Sequence, residues 1–271
     1  MWMPEAIPAL LAHLRIQYVS VACHSGGTVW ALDMLLHHPE ILHPSRPYLA
    51  IGGPWILPSH TGRTALSMVQ LLPTSVINKT DKLAKLINNH VGPALGASVG
   101  FSLALVAKLG PTTAFKGHED AEEHGHDRAP EGARFEEDLW PKVIARIYAE
   151  GVRGIGSEAV LLMHKAADAA GSGWSDWGDY DQLVPRLAEA LRAAGRRLRL
   201  DVFYAEKDMM IGHGRESKGA RWFDSCWEQT RCADVVQYRS TTVMGADHDG
   251  IWNLRWGMMQ EVFLNARGTL D

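Results

Sequence analysis

Ile16-Gln17-Tyr18-Val19-Ser20-Val21-Ala22 runs directly into Cys23-His24-Ser25-Gly26-Gly27 and then into Thr28–His37. The first segment is apolar and rich in β-branched residues, which predicts a strand; the second is small and turn-forming; the third predicts a helix. A serine at the apex of so tight a strand-to-helix turn takes a strained backbone conformation with its hydroxyl clear of the sheet. Small residues must therefore stand two places to either side. Gly27 meets that need and Cys23 is a tolerable substitute. Gly26 has no side chain to obstruct an acyl group, and its N–H lies at the start of the following helix, where the dipole favours a developing oxyanion. The stretch reads as a nucleophile elbow, although a serine in a glycine-rich turn is also an ordinary structural feature.

A serine hydroxyl becomes a nucleophile only when a base takes its proton and an acid orients that base. Two later segments supply candidates. Arg197–Tyr204 alternates polar and apolar residues, reads as a strand, and opens into Ala205-Glu206-Lys207-Asp208; Asp208 is the candidate acid. Val235–Val243 is a second β-rich run that opens into Met244-Gly245-Ala246-Asp247-His248-Asp249-Gly250, and His248 is the candidate base. Acid and base would each sit at the C-terminal end of a strand, where open α/β sheets place their ligands. Taken singly, Ser25 reads as a turn serine, Asp208 as a helix cap and His248 as one of thirteen histidines. Glu206, Asp247 and Asp249 compete for the acid's role, but the last two flank the base too closely to face its far nitrogen.

The order Ser25, Asp208, His248 resembles that of α/β-hydrolases, and the likeness extends over the elbow, the acid loop 205–210 and the histidine loop 245–250. It is closest to the fungal-type, lid-bearing serine hydrolases, through Cys-His-Ser-Gly-Gly, Ala-Glu-Lys-Asp-Met-Met-Ile-Gly and Asp-His-Asp-Gly-Ile. The resemblance also favours Asp208 as the acid. It implies an α/β fold with a mostly parallel sheet, N-terminally incomplete, and a large helical lid insertion. Residues 1–54 would form the first part of the core, 55–180 the lid and 181–271 the second part of the core. The implied activity is hydrolysis of an ester, thioester or lactone through an acyl-enzyme, with Gly26 as oxyanion donor and no cofactor.

His24 adjoins the nucleophile, but neighbours in a sharp turn point apart, so packing beneath the elbow or touching substrate suits it better than acting as base. Cys23 reads as a small buried hydrophobe. Trp55, Trp174 and Trp177 are further candidates for substrate contact, against the commoner fate of packing under the lid.

Only 24 residues precede Ser25, whereas the resembled family runs through about four strands before its elbow. The part that would donate the second oxyanion N–H is not in this sequence. Either a longer chain is implied, or a partner or second copy covers the edge of the elbow strand as a homo-oligomer. The alternative function is thus a non-catalytic or truncated relative without a complete oxyanion hole.

After Tyr48–Pro54 the pattern turns helical, with segments at 64–72, 82–88, 101–109, 135–150 and 157–170. Val91–Ala107 is an uncharged run of 17 residues, short of the roughly 20 a membrane span needs and broken by Pro93; no stable span is expected, and a lid lining a pocket for a hydrophobic small molecule is. Residues 116–138 are acidic and glycine-containing and read as a disorder-like loop. His118, His124 and His126 with Glu122, Glu123 and Asp127 could chelate a metal in a metal-dependent hydrolase, but they lack a framing element, and no metal is expected. Residues 183–194, 222–228 and 252–265 read as helices. A formal charge of −4 leaves no footprint for nucleic acid. Three cysteines, an odd number in a chain of this size, fit a reducing, cytoplasmic compartment.

Overall fold

The computed structural model describes residues 3–63, 131–150, 154–163, 178–227 and 232–268. Four strands, β1 (Val21–His24), β2 (Tyr48–Gly52), β3 (Leu198–Ala205) and β4 (Val236–Val243), form one parallel sheet in the order β1-β2-β3-β4. Burial follows position in the sheet. Every residue of the inner strand β2 is buried, as a parallel strand covered on both faces requires. Between its buried ends, β4 alternates between half-buried residues and the exposed Gln237, Arg239 and Thr241, and among the described residues it pairs only with β3.

The crossovers step to the next neighbour each time, so their helices collect on the same face. α2 (Gly27–His37), α6 (Tyr180–Ala193) and α7 (Lys218–Trp227) contribute to the larger core cluster with Leu49, Ile51, Leu200 and Val202 from the sheet. α6 buries Leu183, Val184, Leu187, Ala188 and Leu191, a spacing that places one apolar stripe against the sheet. On the opposite face Tyr48, Ala50, Phe203 and Ala205 pack with Ile251 and with Val262 of α8 (Met258–Arg267). The result is an α/β sandwich of three layers around a parallel sheet, the α/β class expected from the sequence. α1 (Met3–Leu14) packs on α2, with Ile7 and Leu11 against the larger cluster.

Among the described residues β1 pairs on one side only, with β2. Leu10 and Leu14 of α1 and Ile16 and Tyr18 after it are exposed.

Within residues 55–180 the described parts are α3 (Pro58–Thr61), α4 (Glu131–Glu150), α5 (Gly154–Leu162) and the start of α6. The helical expectations at 64–72, 82–88 and 101–109, the run 91–107, the histidines at 118, 124 and 126, and Trp174 and Trp177 lie outside the described residues. Three expectations are corrected. The predicted strand 16–22 is displaced toward the turn: of its first part only Val19 makes a β-bridge, to Leu42, and strand pairing begins at Val21 opposite Leu49. Residues 131–134, read as disorder-like, are helical along with the expected 135–150, because α4 is fastened to the far end of the chain. Arg255 makes a two-pronged bond to Glu137 at 2.7 and 2.8 Å, and Leu254 N–H donates to Glu136. Finally, the helix expected over 252–265 is a 3₁₀ turn, Leu254–Trp256, then α8; Gly257 at φ +74° separates them.

Candidate active site

Ser25 has φ +50°, one of two non-glycine residues with positive φ among those described. Such a conformation costs on the order of 1–3 kcal/mol and persists only where the surroundings enforce it. Here the strand and helix hold it from both sides: Ser25 N–H donates to Gly52 O at 3.1 Å, while its carbonyl accepts from Thr28 N–H at 2.9 Å and Trp55 N–H at 3.2 Å. Beneath the turn a Cβ on Gly27 would lie 3.4 Å from Cys23 Cβ, which is why both flanking positions are small.

The strand ends bring three distant side chains into one line. His248 Nε2 is 2.9 Å from Ser25 Oγ, and His248 Nδ1 is 2.7 Å from Asp208 Oδ2. The carboxylate can only accept, so Nδ1 carries the proton and Nε2 is left to accept the serine O–H. Asp208 is fully buried, with its other oxygen accepting from Met210 N–H at 2.8 Å and Ile211 N–H at 2.9 Å. These bonds fix the carboxylate plane before the histidine meets it. His248 is 4 % exposed. Burial alone would hold its basicity down, but the charge and hydrogen bond of Asp208, with Asp249 and Asp247 nearby, outweigh burial and raise it above the ordinary 6.5.

The competing carboxylates have other partners. Glu206 accepts from Gly245 N–H at 2.7 Å and so pins the histidine loop to the acid loop. Asp247 accepts from Gly250 N–H at 2.7 Å within its own turn. Cys23 is no rival nucleophile, because removal from water pushes its thiol up to about 12.

Gly26 leads into α2, and its N–H has no backbone acceptor among the described residues. α5 lies directly on it: a Cβ at Gly26 would meet Leu162 Cδ1 at 2.9 Å, and Glu158 of the same helix accepts from Trp30 Nε1 of α2 at 3.2 Å. Trp55 is 4 % exposed, in the larger core, where its carbonyl accepts from Tyr180 Oη at 2.7 Å. His24 meets the histidine loop, its Nε2–H donating to His248 O at 2.7 Å.

Gly53 escaped the sequence reading. It follows β2 at φ +50°, and a Cβ there would lie 3.1 Å from His248 Nδ1 and 3.2 Å from Cε1. The signal was the Gly52-Gly53 pair closing a strand, since adjacent glycines mark a close approach of backbone to another group. Gly53→Ala is expected to destabilise the fold by about 1–2 kcal/mol through its backbone conformation. It should also lower kcat by about a hundredfold by pushing the imidazole off line; chemical denaturation and ester turnover check the two effects separately.

Among the described residues, one set of three potential metal ligands is grouped: His24, His248 and Asp249, with donor atoms within 4.8 Å of one another. Both ring nitrogens of His248 and Nε2 of His24 already have the partners given above. The described cysteines are all free thiols, and no helix among the described residues is long and apolar enough to cross a membrane.

No family model matches the chain, and no curated protein matches it. Solved structures similar to it include a carboxylesterase of the ammonia-oxidizing thaumarchaeon Nitrososphaera gargenis, 10 % identical at a TM-score of 0.43 and covering 96 % of this chain and 71 % of that one. A serine hydrolase of the polyaromatic-hydrocarbon-degrading bacterium Cycloclasticus zankles is 15 % identical at 0.43, over 100 % of this chain and 71 % of that one. Wild-type Cfl2 of Burkholderia cenocepacia is 12 % identical at 0.38, over 96 % and 69 %.

Proposed function

We propose that the chain is a serine hydrolase that cleaves an ester, thioester or lactone of a hydrophobic small molecule through an acyl-enzyme. The observation that carries this is the unbroken line from Asp208 through His248 to a Ser25 held at φ +50°. In the first step His248 Nε2 takes the Ser25 proton as Oγ bonds to the carbonyl carbon, and Gly26 N–H receives the oxyanion. The imidazolium then gives that proton to the leaving alcohol or thiol as its bond breaks. In the second step water loses a proton to His248, attacks the acyl-enzyme and releases the acid, and the proton returns to Ser25. Asp208 orients the ring and stabilises its charge throughout.

Residues 55–180 are assigned as a lid, with α5 as the part lying against the elbow. Leu162 at that contact supports the hydrophobic class of substrate. Turnover of p-nitrophenyl acyl esters of increasing chain length tests the reading. The wild-type chain should show a burst of p-nitrophenol stoichiometric with enzyme, and a fully folded chain inert toward the whole series would refute it. Leu162→Ala should raise the relative kcat/KM for the longer acyl chains by about tenfold, the usual weight of a few methylenes in an apolar pocket. An unchanged chain-length profile would place Leu162 outside the substrate path.

Among the described residues β1 pairs only with β2, which favours a second reading, a non-catalytic or truncated relative without a complete oxyanion hole. Loss of one oxyanion donor typically costs a factor of about 10²–10³. That reading predicts an assembled triad without a burst.

A further inference from the structure

The residue immediately before the nucleophile is tied to the residue that activates it. His24 ends β1, and its Nε2–H donates to the main-chain oxygen of His248 at 2.7 Å. The two imidazole rings pack with centroids 5.1 Å apart at 49°. Gly53 backs the pair: a Cβ there would stand 3.1 Å from His248 Nδ1 and 3.7 Å from His24 Nε2.

Resting on the reading of Ser25 as nucleophile and His248 as base, we propose that His24 is a positioning residue that sets the approach of base to nucleophile by tethering the base's own carbonyl to the elbow strand. Peptide geometry makes the tether short. Ser25 follows His24 directly in the chain, so one hydrogen bond couples the backbone that carries Oγ to the backbone that carries Nε2, 224 positions apart in sequence. The other bonds of the histidine loop do different work. Asp208 holds the ring, Glu206 holds Gly245, and Lys207 N–H holds Ala246 O at 2.9 Å. All three come from the acid loop and leave the distance to the elbow to be fixed from the other side.

The surroundings suit a neutral tether. Burial holds His24 below the ordinary histidine value, and the charge of neighbouring His248 adds to this; the hydrogen bond to the His248 carbonyl and the carboxylates of Asp249 and Asp208 oppose it without prevailing. A second cation so close to the imidazolium formed during turnover would disfavour it, and a neutral His24 avoids that repulsion. With Nε2–H committed to a carbonyl, the neutral ring has no N–H left to donate to substrate.

The test compares wild type, His24→Leu and His24→Gln, the last because its side-chain amide can donate to the same carbonyl. For a short p-nitrophenyl ester, His24→Leu should lose about a hundredfold in kcat, the scale of a small misplacement, with KM unchanged. His24→Gln should recover most of the loss. The second readout needs no substrate: proton NMR of the His248 Nδ1–H and the titration midpoint of that ring. In His24→Leu the midpoint should drop toward the ordinary 6.5 as the ring leaves Asp208, and in His24→Gln it should return. A raised KM with kcat retained would make His24 a substrate contact and overturn the proposal. A folded His24→Leu with kcat and midpoint both unmoved would make it packing alone, and also overturn it. Should His24→Leu fail to fold, His24→Asn, whose shorter amide does not reach the carbonyl, takes its place with the same expectations. A wild type inert toward esters but with a tether-dependent midpoint would refute the hydrolase reading while upholding the tether.

Discussion

Ser25→Ala is expected to abolish ester turnover, by a factor on the order of 10⁶ in kcat, the loss seen when a triad nucleophile is removed alone. The same position carries a stability signature that a plain turn serine would share only in part. Alanine at φ +50° keeps the backbone strain and loses the hydroxyl; glycine loses the hydroxyl and sheds the strain. Both variants leave the buried Nε2 of His248 without its 2.9 Å partner, so that cost cancels between them. Ser25→Gly should therefore be more stable than Ser25→Ala by about 1 kcal/mol, the strain relieved less the extra backbone entropy of glycine. Both should be equally inactive. Urea unfolding of the pair isolates the energy stored at the elbow, and equal stabilities would show that the surroundings do not hold Ser25 in strain.

Asp208→Asn is the second large effect, with a loss of about 10⁴ in kcat. The variant keeps an oxygen to accept from Met210 and Ile211, so the loop should survive. Its amide, however, presents N–H toward His248 Nδ1, which moves the ring proton to Nε2 and deprives Ser25 Oγ of its acceptor. The pH dependence separates this from simple unfolding. His248 must be neutral to act as base, and its midpoint lies above 6.5 in the folded chain. Wild-type activity should rise with pH through that raised midpoint. Stability has the opposite sign: a histidine raised on folding adds stability that is fully present below its unfolded value and is lost as pH climbs through its folded value. Between 6.5 and the folded midpoint the wild type should lose part of its stability advantage over Asp208→Asn while gaining activity. A difference in melting temperature that does not change across that window would break the proposed coupling of Asp208 to His248.

What the sequence disclosed depended on how local the cause was. Cys23–Gly27 is legible because a tight strand-to-helix turn restricts residue types within five positions, and the observed φ of Ser25 follows from that restriction. Tyr48–Gly52 is legible because a strand covered on both faces needs an unbroken apolar run. The start of β1 was misjudged because its register is dictated by Leu49–Gly52, partners more than twenty residues away. The first turn of α4, 131–134, is not legible because the acidic side chains that suggest a solvated loop are held by Arg255 and Leu254 N–H, 118 positions on. The break before α8 was written in Gly257 and in Asn253, whose side chain accepts from Arg255 N–H, yet the surrounding apolar spacing concealed it. Gly53 and the carbonyl contact of His24 were out of reach for a further reason: each is defined by the imidazole it approaches, and that approach exists only once β1, β2 and β4 lie in one sheet.

The central claim is that Ser25 is chemically activated by His248 and Asp208. Intact-mass analysis of the purified chain after exposure to a fluorophosphonate, beside Ser25→Ala and Asp208→Asn, reads that activation directly and without a choice of substrate. One adduct per chain on the wild type, none on Ser25→Ala and strongly slowed labelling of Asp208→Asn is the expected result. A folded wild-type chain that takes up no adduct, or one whose adduct persists in Ser25→Ala, would contradict the account.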